Sequence, residues 1–174
     1  MSKFSVLLAF CAVAVLPGCY AQLDDPKAVA DSLPVYRPLL MTRATLEQAV
    51  ALLPPRDVQA PGKTYCHGAY LLVNEQYEGI HIIDNQDPSR PRKVGFLRIP
   101  GSLGVAMRGP VLYADNAVDL VTIDLTDPAN ARVLGRVRNV FPELPLPETA
   151  SVEPGYRAEN RPPDAVVVGW QKIR

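Results

Sequence analysis

Few of the side chains that could bind a metal or act as acid, base or nucleophile stand at a spacing that favours chemistry. The chain has two histidines, His67 and His81, and three cysteines, Cys11, Cys19 and Cys66. Cys66 and His67 are adjacent, and on an extended strand neighbouring side chains point to opposite faces, so a metal site using both with His81 is awkward. Glu75 and Glu78 fall within one turn, where two carboxylates read as solvated rather than as an acid–base pair. Asp84 and Asp87, then Asp124 and Asp127, recur ahead of Pro88 and Pro128. Their oxygens are too few for a dense cation cage, and the spacing is not that of a calcium loop. Turn chemistry explains them better: an Asp side chain accepts from backbone N–H groups just ahead, and Pro fixes φ for the tight connection. No Gly-rich phosphate loop, nucleophile elbow or Cys-x-x-Cys pair is present. The sequence predicts no catalytic residue, no metal site and no cofactor, and assigns Asp84, Asp87, Pro88, Asp124, Asp127 and Pro128 to structural turns.

The remaining reactive position is Cys19. Met1-Ser2-Lys3 is followed by an uncharged apolar run from Phe4 to Leu16, closed by Pro17-Gly18-Cys19. A basic start and a short apolar core read as a secretory signal over residues 1–18. The run falls short of the roughly 20 apolar residues needed to span a bilayer. Leu16 three before the cysteine and Gly18 directly before it resemble the lipobox of bacterial lipoproteins. That resemblance implies lipidation of Cys19, a membrane attachment through the lipid, and a bacterial cell-envelope location, with the outer membrane expected on its periplasmic or surface face. Cys66 is then the only unmodified cysteine after processing. It cannot form an internal disulfide, and its alternating apolar surroundings predict a small buried hydrophobe.

Composition narrows the rest. The 174 residues carry 18 Lys+Arg against 18 Asp+Glu and are 48% hydrophobic. Such a balance excludes a generally basic surface and predicts no nucleic-acid partner. The hydrophobic share excludes a wholly disordered chain. The 18 prolines argue against a helix bundle and for strands and turns.

The elements follow from patterning. Residues 19–38 read as a tether, polar and punctuated by Pro26, Pro34 and Pro38. Within 39–60, Thr42 to Leu53 predicts a short helix, capped by Thr42, with Leu46, Val50 and Leu53 on one face and Pro54-Pro55 as its stop. Alternating apolar residues then predict strands at Lys63–His67, Ala69–Val73, Gly79–Asp84 and Arg92–Ile99. Gly79 to Pro88 returns about forty positions later as Asp119 to Pro128, and Val94-Gly95 as Leu134-Gly135 at the same offset. Upstream, Gly68 to Val73 matches Gly109 to Ala114 one position further apart, so one residue is lost in the intervening turn. A period near forty with four short strands per unit is the signature of a propeller blade. Residues 143–163 predict a Pro-rich loop, and 164–174 a terminal strand in which Trp170 serves as an aromatic plug.

The two units resemble LVIVD repeats, found in bacterial and archaeal proteins predicted to lie at the cell surface. The resemblance to a bacterial lipoprotein subgroup takes in Pro61-Gly62-Lys63, Val73-Asn74-Glu75, Gly79 to Asn85, Tyr113-Ala114-Asp115, Asn139 to Pro142 and Val166 to Trp170. It implies β-propeller architecture and no general catalytic role.

The expected fold is therefore mainly β. It comprises two propeller-blade-like four-stranded antiparallel repeats over residues 61–142, an incomplete propeller, with a short N-terminal helix. Two blades are too few for a closed ring, so the open faces should be covered by another chain, either an envelope protein or a second copy, by the Pro-rich loops, by aggregation, or by further repeats beyond these. The expected function is a lipid-anchored binding or scaffold module rather than an enzyme. The alternative is part of an enzyme or cofactor-binding propeller whose site is completed by missing blades or a partner.

Overall fold

A computed structural model describes residues 33–174, which form one compact unit. The signal over 1–18, Cys19 and most of the predicted tether lie outside the described residues.

Alternation of apolar and polar side chains builds two antiparallel meanders. The first comprises β3 (Pro61–His67), β4 (Tyr70–Glu75), β5 (Gly79–Asp84) and β6 (Arg92–Arg98). The second comprises β7 (Val105–Arg108), β8 (Val111–Asn116), β9 (Asp119–Asp124) and β10 (Arg132–Val137). In each, consecutive strands are hydrogen-bonded neighbours. The correspondence reaches irregularities. Pairing of β5 with β6 slips between Ile82 and Ile83, leaving Val94 unpaired, and pairing of β9 with β10 leaves the matching Leu134 unpaired. A bulge at the same place in both sheets bends the outer strand and increases its twist. Leu72, Ile80, Ile82 and Leu97 of the first meander and Leu112, Ala114, Val121 and Ile123 of the second form one buried cluster, the main core. The molecule is thus mainly β, with antiparallel meanders and no closed barrel.

Three expectations are corrected. The tether stops short of residue 38, because Val35–Thr42 is a strand, β1. It runs antiparallel to β12 (Ala165–Lys172), from Tyr36 opposite Lys172 to Thr42 opposite Ala165. Pro38 is tolerated because β11 (Ser151–Val152), on the other side of β1, pairs only with Val35 and Tyr36, so one edge is open at the proline. The helix is also shorter than expected. Thr42 caps it by accepting from the Thr45 N–H at 3.2 Å, but α1 spans only Arg43–Gln48. Ala51–Leu53 forms β2 instead, a fifth strand hydrogen-bonded to the outer edge of β6. A short helix gains little from its own hydrogen bonds, whereas an unpaired sheet edge rewards any apolar segment that reaches it. Finally, the Pro-rich stretch is not loop throughout. It contributes β11 and two 3-10 turns, Pro154–Tyr156 and Ala158–Asn160, and buries Leu144 with Tyr36, Val167 and Trp170. Trp170 is buried there, its indole N–H donating to the Leu144 carbonyl at 3.1 Å.

Candidate functional site

The turn carboxylates spend their oxygens on the protein. Asp84 accepts from the Gln86 N–H at 3.0 Å and pairs with Arg92 at 2.6 Å. Asp124, its counterpart, accepts from the Thr126 N–H at 2.9 Å and pairs with Arg132 at 3.0 Å. Asp87 and Asp127 accept from the N–H groups of Ser89 and Ala129 at 3.0 and 3.1 Å. Pro88 is exposed, while Pro128 is buried at the start of a 3-10 turn. The hydroxyl and N–H of Thr126, with Arg132, hold the Asp124 carboxyl down at about 2.

Cys66 is exposed, contrary to the expected buried hydrophobe. It sits on β3, an edge strand of the five-stranded sheet. His67 points the other way. His81 is far from a ligand set: its Nε2 lies 2.7 Å from Glu75 Oε2 in a buried contact. Among the described residues, no three His, Cys, Asp or Glu side chains gather in a way that could hold a metal ion.

Glu75 was expected to be a solvated turn residue and is instead buried at the end of β4. The loop after β2 folds back over it. The N–H groups of Gln59 and Ala60 donate to Oε1 at 2.7 and 3.0 Å, and Arg56 donates to Oε2 at 2.6 Å. The Arg56 guanidinium also stacks 3.8 Å from the Phe96 ring centre. Burial by itself would raise the Glu75 carboxyl, but these donors and His81 outweigh it and hold it at about 2. A second buried carboxylate, Asp119, opens β9. It receives Arg43 at 2.7 and 2.8 Å, Arg136 at 2.7 Å and the Asn139 N–H at 3.0 Å. Burial opposes ionisation here too, and the two arginines and the N–H override it, lowering the Asp119 carboxyl. Arg136 further donates to the carbonyls of Leu46 and Glu47, so one carboxylate ties α1 to β10. The partners of both networks come from within the chain, and they fasten the loop after β2 and α1 to the sheets.

What stays open is a surface. On β8 and β9, Leu112, Ala114, Val121 and Ile123 point to the core, so Tyr113, Asp115 and Leu120 point to the opposite face. There they line an apolar groove of about 390 Å³, walled by Leu103 and by Phe141 to Pro145. Asp115, the most polar group on its floor, is occupied by the N–H groups of Leu103 and Gly104 at 2.9 and 3.0 Å. Val137 lies beside Leu120 in the next strand and is 57% exposed; Leu103, Val140 and Phe141 are exposed too. This face thus carries several exposed apolar side chains around the groove. Comparisons with protein-family models, with curated proteins and with solved structures find no match. Among the described residues, no helix is long and apolar enough to cross a membrane.

Arg56, Asp119 and the groove residues carried no signal as isolated positions in the sequence. The alternation of Leu112-Tyr113-Ala114 does show that one of two faces holds Tyr113. Which face another layer covers is a matter of register and packing, and that information is not local.

Proposed function

We propose that the chain is a non-catalytic binding or scaffold module of the bacterial cell envelope. It is built on two propeller-blade-like repeats and carried on the membrane by lipid at Cys19. The observation that carries this reading is the contrast between two engaged buried carboxylates and an uncovered apolar face. The buried carboxylates Glu75 and Asp119 are fully engaged within the chain, while the face bearing Tyr113, Leu120 and Val137 has no layer over it. Equivalent strands, turns and bulges in the two meanders support the blade reading, since blades share one topology and pack face on face. A sheet frame that presents an apolar groove suits binding another surface, and Asp115 on the groove floor is already engaged by the Leu103 and Gly104 N–H groups.

The lipid anchor rests on the Leu16 to Cys19 motif and is tested separately. Full-length chain expressed in a Gram-negative host with radiolabelled palmitate should incorporate label and fractionate with membranes. Cys19→Ala should lose both. Unlabelled wild-type protein, or a variant that fractionates as before, rejects the anchor. For binding, a photo-reactive amino acid at Val137 should cross-link the wild-type chain to a protein at near-stoichiometric yield in native membranes. Absence of any cross-link rejects the module reading.

A further inference from the structure

The two meanders stack front to back, and this tells what fits the open groove. With repeat-equivalent positions aligned, Leu72, Ile80 and Leu97 of the first sheet correspond to Tyr113, Leu120 and Val137 of the second. Likewise, Leu112, Ala114 and Ile123 of the second correspond to Leu71, Val73 and Ile83 of the first. The core is made by the front of the first sheet, Leu72, Ile80 and Leu97, against the rear of the second, Leu112, Ala114 and Ile123. The residues left outside are therefore the same two faces again: an uncovered front on the second sheet and a rear on the first. Both keep apolar residues, with Lys93, paired with Ile83 and bonded to Asp57, closing the row on the first sheet. Leu71, Val73 and Ile83 are half-buried on the first sheet, with exposed Cys66 beside Leu71 in the pairing. Cys66 is equivalent to Met107, which packs against the core.

Resting on the reading of this groove as a binding surface, we infer that its partner is a second copy of the chain. The front of the second sheet in one copy covers the rear of the first sheet in the next, continuing the interface that already exists inside each chain. The contact is heterologous, with different patches on the two sides, so successive copies add in one direction and either close into a ring or extend. The segments crossing the turn ends of the open faces do not forbid it, because the internal interface carries one as well. There α1 bridges the sheets at their turn ends, held by Arg98 to the Ala49 carbonyl at 2.8 Å and by Arg136 to the Leu46 carbonyl. On the open rear face the loop with Arg56 holds the corresponding place over Phe96, and on the open front face Phe141 to Pro145 do so.

The test uses the full chain, in native membranes and then in detergent. A photo-reactive residue at Val137 should cross-link to a peptide of a second copy containing residues 71–83, and the Cys66 thiol should be alkylated at least about tenfold more slowly at high protein concentration than at low. Leu120→Glu and Ile83→Glu, each checked for wild-type circular dichroism, should each weaken self-association at least about tenfold. Mixed in equal amounts, the two variants should form a dimer that grows no further, because one intact front meets one intact rear. A cross-link from Val137 to Val137 of another copy, or a mixture that stays monomeric, overturns the inference. A cross-link to a different protein overturns it and leaves the binding-module reading standing. No cross-link at all overturns both.

Discussion

At the residue scale the fold depends on two buried carboxylates: Glu75, which the sequence presents as a turn residue, and Asp119, which it presents as the start of a repeated strand. Glu75 takes four donors and Asp119 takes two arginines and an N–H, so removing either leaves buried charge or buried donors unpaired. Loss of one partner from such a network costs about 3 kcal/mol. Asp119→Ala should cost about that much in denaturant unfolding, and hydrogen exchange should show residues 43–48 opening first, since Arg43 and Arg136 both lose their anchor. Glu75 adds a pH signature. Its carboxyl sits near 2 in the fold against an ordinary 4.5, so the unfolded chain binds the proton first as pH falls. The stabilisation is complete above about pH 4.5 and disappears as pH falls toward 2. Glu75→Gln should be less stable by about 2 kcal/mol at neutral pH. The gap in melting temperature from the wild-type chain should shrink progressively on acidification. A gap constant from pH 6 to pH 2.5 would assign the loss to packing rather than charge.

Among the elements, β2 distinguishes two sheets that are otherwise alike. A methyl group added at Gly95 would meet Leu52 Cδ1 at 3.0 Å and the Leu53 carbonyl at 3.2 Å, because β2 lies against β6 there. At the equivalent Gly135 the nearest atom is Thr122 Oγ1 at 3.4 Å. Gly95→Ala should therefore destabilise by about 1 kcal/mol and loosen β2, whereas Gly135→Ala should stay within about 0.5 kcal/mol of the wild-type chain. Equal effects in thermal melts would mean that β2 contributes nothing to the edge it covers. The same contrast explains what the sequence could and could not tell. The strands from Gly79 to Asp84 and from Asp119 to Asp124 were legible to the residue, since alternation and the Asp-Pro turns that follow are both local. Ala51–Leu53 was not: Leu46, Val50 and Leu53 do repeat at helical spacing, and only the unpaired edge of β6, more than forty residues further on, turns the last of them into a strand. Glu75 was misread for a similar reason, as its donors arrive from a loop that precedes it by some fifteen residues. The groove was invisible because Tyr113 and Leu120 are ordinary strand residues, and only the stacking decides which face is covered.

For the whole molecule, the sheet of β1, β11 and β12 joins the beginning and end of the described chain. It clasps Leu144 in the cluster of Tyr36, Val167 and Trp170 and so holds the wall of the groove. Arg37 reinforces it with two hydrogen bonds to Glu153, at 2.6 and 3.0 Å. Trp170→Ala removes a large buried ring and the donor to the Leu144 carbonyl, and should cost about 3 kcal/mol or more. Hydrogen exchange should then rise together over residues 35–42 and 141–152 while the core strands β5 and β9 keep their protection. Faster exchange in β5 as well would make the terminal sheet part of a single cooperative unit with the meanders.

The Val35 N–H donates to the Arg174 carbonyl at 3.1 Å, and the Ile173 N–H donates to the Val35 carbonyl at 2.9 Å. Topologically the described chain is a loop with a gap one hydrogen bond wide. A few glycines should bridge it, and the circle could be reopened at the exposed Gly68 or Gly109 turn with the same sheets reforming. Val35 and Arg174 lie at this single corner, so a segment fused after Arg174 would leave beside the start of β1.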